Sequence, residues 1–257
     1  MRAPDPPYVE LGFYFANMTG DAAIAALCRH LVSCGAAYNG PALISHINSL
    51  HDTFASIYDL PHCTHVVNTV SEAECLFANS TLRILQLTIR NGTDIVPDAN
   101  EIVTQLRVSD KAKHADRHPV AIWVEGCALS FGGDSIPRSA RRIGRKTFKA
   151  FSSLVRSLNP SYAAITVDYG LECPADLSYN ESLAFRDCFV SKEFVGAQFL
   201  ENLVDRLHGA YYEQLATGLI LCCSELFAPT FTSIDSRSAF ALSAMISRRI
   251  SLAANIG

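Results

Sequence analysis

Apolar positions recur along the chain with two different periods, and the period says which element each stretch forms. From Val9 to Phe15 the run is continuous and rich in aromatic residues, which predicts a first strand. Thr19 or Asp21 then stands where a helix cap is needed, ahead of a core side made by Ile24, Leu27, Cys28 and Leu31, with Gly35 as the stop. Leu43, Ile47 and Leu50 predict a second helix over Pro41 to Ala55. His62 to Ala78 reads both ways, with Val66 and Val67 as strand and Ser71 to Phe77 as a helical turn.

The period then changes to two. Leu82 to Arg90 sets Arg83, Leu85, Leu87 and Ile89 against Leu82, Ile84, Gln86 and Thr88. Glu101 to Val108 alternates in the same way, and Val120 to Glu125 is a third apolar run. Asn91-Gly92 and Pro97-Asp98 supply turn chemistry between the first two, so an antiparallel meander is expected. A long helix follows over Arg138 to Leu158, closed by Asn159-Pro160, and then a strand over Ala163 to Tyr169. Lys192 to His208 reads as a helix, Leu219 to Leu226 as a buried strand and Ser236 to Ala254 as a final helix. The pattern predicts an α+β fold, with a mixed, mainly antiparallel sheet of about 5–7 strands covered by helices. It runs as a single domain over residues 1–257, and Phe131 to Pro137 is the best internal boundary.

Composition narrows the function classes. Of 257 residues 49% are hydrophobic and 18% charged, which excludes a disordered chain. A net charge of −4 and a pI near 6.0 argue against binding nucleic acid or membrane through overall charge. Nine cysteines cannot all pair within one chain, and most lie in apolar stretches, where a free thiol acts as a small hydrophobe. The Pro-rich start, Met1 to Tyr8, lacks the apolar core of a signal peptide, and no stretch approaches the ~20 apolar residues of a membrane span. These features predict a reduced, cytoplasmic protein. The high apolar fraction makes a homodimer the default expectation.

Familiar phosphate cradles and the hydrolase elbow are missing from the sequence, and His62-Cys63-Thr64-His65 has no second cluster at a metal-ligand interval. No metal and no cofactor are therefore expected. Three constellations remain. Carboxylates end three apolar runs: Glu125 before Gly126, Asp168 before Tyr169-Gly170, and Glu225 after Ser224, with Glu172 on a following loop. If Glu125 and Asp168 share one rim, mutual repulsion raises one pKa and supplies a general base or acid. Ordinary strand terminators carry the same pattern. His114, Asp116 and His118 precede the third strand at a spacing of two, which suits an acid/base relay and equally a polar loop.

The third constellation is basic. At 100° per residue, Ile143, Thr147, Phe151, Leu154, Val155 and Leu158 fall on one side of the Arg138–Leu158 helix. Arg138, Arg142, Arg145, Lys149 and Arg156 fall nearly opposite, with Arg141 and Lys146 at the borders. Such a face is a docking surface for an acidic partner or carrier, or a solvated face with nothing bound.

Two functions fit. One is a cofactor-free acid/base enzyme, lyase- or isomerase-like, performing an elimination, cyclisation or isomerisation in biosynthesis on a small anionic metabolite. Glu125, Asp168, Glu172 and His118 would supply the chemistry there, and Arg141, Arg145, Lys146 and Tyr169 would hold the anion. The other is a non-enzymatic binding module, immunity-type or regulatory, in which Arg138, Arg142, Arg145 and Lys149 meet an acidic partner.

Overall fold

Residues 8–47, 62–92, 95, 99–108, 117–125, 136–177 and 184–254 are described by the computed structural model. The strands are β1 (Tyr8–Tyr14), β2 (Ala37–His46), β3 (His62–Val67), β4 (Leu82–Arg90), β5 (Glu101–Leu106), β6 (Val120–Glu125), β7 (Tyr162–Val167), β8 (Asp187–Ser191), β9 (Tyr211–Leu215) and β10 (Gly218–Cys222). The helices are α1 (Gly20–Ser33), α2 (Val70–Phe77), α3 (Arg138–Leu158), α4 (Lys192–Val195), α5 (Ala197–Val204) and α6 (Ser236–Ala254).

Local chemistry explains the helix ends. Thr19 caps α1 by accepting from the Ala22 N–H, and Gly35, at φ 103°, turns the chain out of it. Thr69 and Glu72 form a reciprocal capping box on α2. Asn159 ends α3 in the left-handed conformation, and Pro160 cannot continue the helix.

All ten strands lie in one sheet, in the order β3-β2-β4-β5-β6-β1-β7-β8-β10-β9, and every neighbouring pair is antiparallel. The strand β1 therefore joins two halves of the sheet. Its alternation assigns the faces. Val9, Leu11 and Phe13 enter a core with Ile24 and Leu27 of α1 and Phe151 of α3. Tyr14, on the other face, packs with Tyr162, Phe185, Leu203 of α5 and Ile246 of α6. Ring stacking marks both sides: Phe13 on Phe151 at 6.1 Å and Tyr14 on Tyr162 at 4.8 Å between centroids.

The expected mixed sheet of about 5–7 strands is corrected, among the described residues, to ten strands, all antiparallel; the α+β class stands. Strands β2, β8 and β9 account for the difference. Where a helix over Pro41 to Ala55 was expected, residues 37–46 form β2, and 48–55 lie outside the described residues. Pro41 sits beside a register shift between Tyr38 and Ala42, an irregularity that tolerates a residue without an N–H. At Gly40 a Cβ would stand 2.6 Å from the Thr88 carbonyl oxygen, so β4 approaches only because no side chain is there. The expected helix over Lys192 to His208 breaks at Gly196, whose φ of 89° suits glycine, and leaves α4 and α5 as separate turns. The meander β4-β5-β6 forms as the alternation predicts. Most of the Phe131 to Pro137 boundary lies outside the described residues. Among the described residues no helix is long and apolar enough to cross a membrane.

Candidate functional site

Strands β6 and β7 both run antiparallel to β1 and hence in the same direction, so Glu125 and Asp168 do reach one rim of the sheet. Tyr8 lies between them, opposite Glu125, and two strand spacings put their backbones about 10 Å apart. Asp168 is already engaged. Its Oδ1 accepts from the Tyr8 N–H at 3.0 Å, while its own N–H donates to the Tyr8 carbonyl at 3.0 Å. With φ at 61° it turns the chain out of the sheet while extending the ladder by one pair. The side chain of Glu125 lies outside what the structure describes, as do His114 and Asp116.

The remaining carboxylate and histidine candidates do not gather at this rim. Glu172 is exposed, and its carbonyl accepts from the Tyr162 hydroxyl at 2.6 Å. His118 lies beyond the opposite end of β6, buried against Gly20 at the start of α1. Burial, reinforced by Arg83 and opposed by Asp176, lowers its pKa to about 4, so the imidazole is neutral near pH 7. Tyr169 is half-exposed; burial, with Arg186 opposing and Asp187 adding, pushes its hydroxyl up to about 12. Glu225, in the turn after β10, forms a 2.6 Å ion pair with Arg141.

The sequence reading missed two buried carboxylates. Glu10 is wholly inaccessible. Its Oε2 accepts from the Trp123 indole N–H at 2.8 Å and its Oε1 from the Leu171 backbone N–H at 2.8 Å. Arg107 stands 3.7 Å from Oε2 with its guanidinium over the Trp123 ring, on which Tyr8 also stacks. Burial raises the Glu10 pKa, against Arg107 and the two hydrogen bonds. Close approach at two glycines makes this clamp possible. A Cβ at Gly12 would lie 2.5 Å from the Leu171 Cβ, and one at Gly170 would lie 1.9 Å from the Arg107 guanidinium. The cluster ties the loop after β7 onto the sheet.

Asp187 does the same beyond β10. Its Oδ1 accepts from the Cys222 thiol and from the backbone N–H groups of Cys223 and Ser224, at 2.9–3.0 Å. Burial raises its pKa as well. Both oxygens of Glu10 and the Oδ1 of Asp187 are engaged by the fold, which suits a clamp. The available signal was a charge inside an apolar run, Val9-Glu10-Leu11, since such a charge needs buried partners.

The basic constellation sits on the helix for which it was expected. In α3, residues Ile143, Thr147, Phe151, Leu154 and Val155 are buried, while Arg138, Arg142, Arg145, Lys146, Lys149 and Arg156 are exposed. The helix contains no acidic residue. Glu225 reaches Arg141 and Glu213 of β9 reaches Arg156, from outside it. Arg138, Arg141, Arg142, Arg145, Lys146 and Lys149 together line an open hollow of about 560 Å³.

This charge distribution works against the isolated fold. Arg138/Arg142, Arg141/Arg145, Arg142/Lys146 and Arg145/Lys149 are like-charge pairs four residues apart, each destabilising by roughly 0.2–0.5 kcal/mol. Three of these cations also lie in the first turns, where the helix dipole is positive. An anionic partner relieves both penalties.

No family model matches the chain, and no curated protein matches it by sequence. Among solved structures, the Pseudomonas aeruginosa T6SS protein PA0821 aligns with 95% of this chain and 71% of its own, at 13% identity and a TM-score of 0.38.

Proposed function

We propose that the protein is a non-catalytic binding module that docks an acidic surface of a partner protein on the exposed face of α3. The observation that carries this reading is the six-cation face of a helix without one acidic residue. An acidic protein suits it better than a nucleic acid. Beyond the basic residues, the exposed positions of α3 are serines, with no aromatic on which a base could stack.

The acid/base enzyme reading draws less support. It needs two available carboxylates in one pocket, and one oxygen of the exposed Asp168 is already taken by the Tyr8 N–H. The cytoplasm is the proposed compartment, in keeping with the free cysteines among the described residues.

Retention on immobilised poly-L-glutamate, compared with duplex DNA at about 0.15 M salt, tests the reading. Wild type should be held by the polypeptide and released by the double variant Arg142→Glu/Arg145→Glu. Equal retention of both proteins removes α3 from the account. Preferential retention on DNA replaces the acidic protein with a nucleic acid.

A further inference from the structure

The helix α3 packs over β1 and β7 and reaches the open edge of the sheet with one flank. Its Phe148 meets Tyr211 of β9 edge-on at 5.6 Å, and its Arg156 pairs with Glu213 of the same strand. Strand β9 ends the sheet order, so among the described residues nothing pairs with its outer side. Its register fixes which groups point outward. A two-residue turn joins Leu215 to Gly218, making theirs the hydrogen-bonded closing pair of the hairpin. Pairs alternate from there, so Glu213 and Tyr211 bond inward to β10, while Gln214 and Tyr212 direct their N–H and C=O groups away from the sheet.

The side chains alternate too. Tyr211, Glu213 and Leu215 lie on the side covered by α3, and Tyr212 and Gln214 are exposed on the other side, Tyr212 at 43%. Edge strands are commonly protected by an outward-facing proline or lysine, and β9 has neither.

Resting on the docking reading above, we infer that the partner is bound by strand addition: an extended segment alternating acidic and apolar residues pairs with the outer edge of β9. A strand laid there lies about 4.8 Å beyond β9. Its side chains on the α3 side come toward the flank that carries Arg156 at Glu213, whose row on the helix continues through Lys149 and Arg145, and call for Asp or Glu. Those on the other side come beside Tyr212, and call for an apolar residue. Backbone hydrogen bonds supply affinity and the alternation supplies selectivity. Charge complementarity thus selects an acidic partner strand over a second copy of this chain, whose own β9 would place a second basic helix beside the first.

The test titrates the full chain with two labelled peptides of equal composition, one alternating Glu and Val, the other with all Glu followed by all Val. Wild type should bind the alternating peptide about tenfold more tightly. Gln214→Pro removes an outward N–H at an edge position that accommodates proline, and should bring the two affinities together. Arg145→Glu/Lys149→Glu should abolish binding of both. If the reversal abolishes both while wild type never distinguishes the peptides, strand addition is overturned and docking on α3 stands. Should the reversal change neither, docking itself fails. Amide exchange gives a readout that does not depend on folding of the proline variant: the alternating peptide should protect the Tyr212 and Gln214 N–H groups in wild type. Unprotected amides with the peptide bound contradict the proposal.

Discussion

Glu10 and the basic face of α3 treat charge in opposite ways. Glu10 has no contact with water and is met from several sides, by Trp123, the Leu171 backbone and Arg107. On α3 six cations face solvent along one helix, and Glu225 and Glu213 come to its flank, at Arg141 and Arg156. A buried charge whose partners are all supplied by its own fold has little left to offer a ligand. An exposed cluster whose neighbours repel one another retains electrostatic free energy that a partner can release. The difference directs the search for function away from the carboxylates and toward the helix.

That contrast breaks most visibly at Glu10. Glu10→Ala leaves the Trp123 indole, the Leu171 N–H and the Arg107 guanidinium without their carboxylate, and should lower unfolding stability by about 3–5 kcal/mol in urea titrations. Glu10→Gln retains one acceptor and should lose less, about 1–3 kcal/mol. A loss below the noise of the titration in both would show that the clamp is not what holds the loop after β7.

Buried His118 offers a pH-dependent version of the same test. Its folded-state pKa, about 4, is below the ordinary 6.5, so its contribution is fully present above pH 6.5 and is lost as the pH falls toward 4. Denaturant midpoints across that window should drop with acidity in wild type and drop less in His118→Gln. Parallel curves would place the acid sensitivity elsewhere.

Substitutions on α3 should act in the reverse sense. Replacing Arg142 and Arg145 with Glu relieves like-charge pairs and favours the helix dipole, so the free protein should gain up to about 1 kcal/mol at low salt while losing its polyanion affinity. A variant that is destabilised instead would make these cations part of the fold's own stability.

The smallest effect is expected at Asp168→Asn. Asparagine keeps the acceptor oxygen that holds the Tyr8 N–H and tolerates a φ of 61°, so stability should change by less than about 0.5 kcal/mol. A large loss would mean that the negative charge itself matters at this rim.

How much of this was legible depended on whether the determining information was local. The Arg138–Leu158 helix, its buried stripe and its basic face follow from a 100° rotation per residue and a left-handed Asn159, and they form where the sequence puts them. Thr19, Gly35 and the α1 core face are equally local. Strand β2 was not legible, because Leu43 and Ile47 mimic a helical spacing and Pro41 reads as a breaker; the register shift that accommodates it is a property of the pairing with β4. Strands β8 and β9 are five residues each and take their identity from β10 between them. At the site, the shared rim of Glu125 and Asp168 could be framed from strand ends, but the Tyr8 backbone that occupies Asp168 is 160 residues away in sequence. The partners of Glu10 are similarly remote, 113 residues away at Trp123 and 161 at Leu171.

The central claim is that the exposed cations of α3 form the docking surface. The most direct measurement is the salt dependence of affinity for an acidic polypeptide, compared between wild type and Arg142→Glu/Arg145→Glu. Wild-type affinity should fall steeply between about 0.05 and 0.2 M salt, because exposed pairs are screened on the scale of the Debye length. The variant should bind weakly with a flattened slope. Identical slopes and affinities for the two proteins would contradict the account.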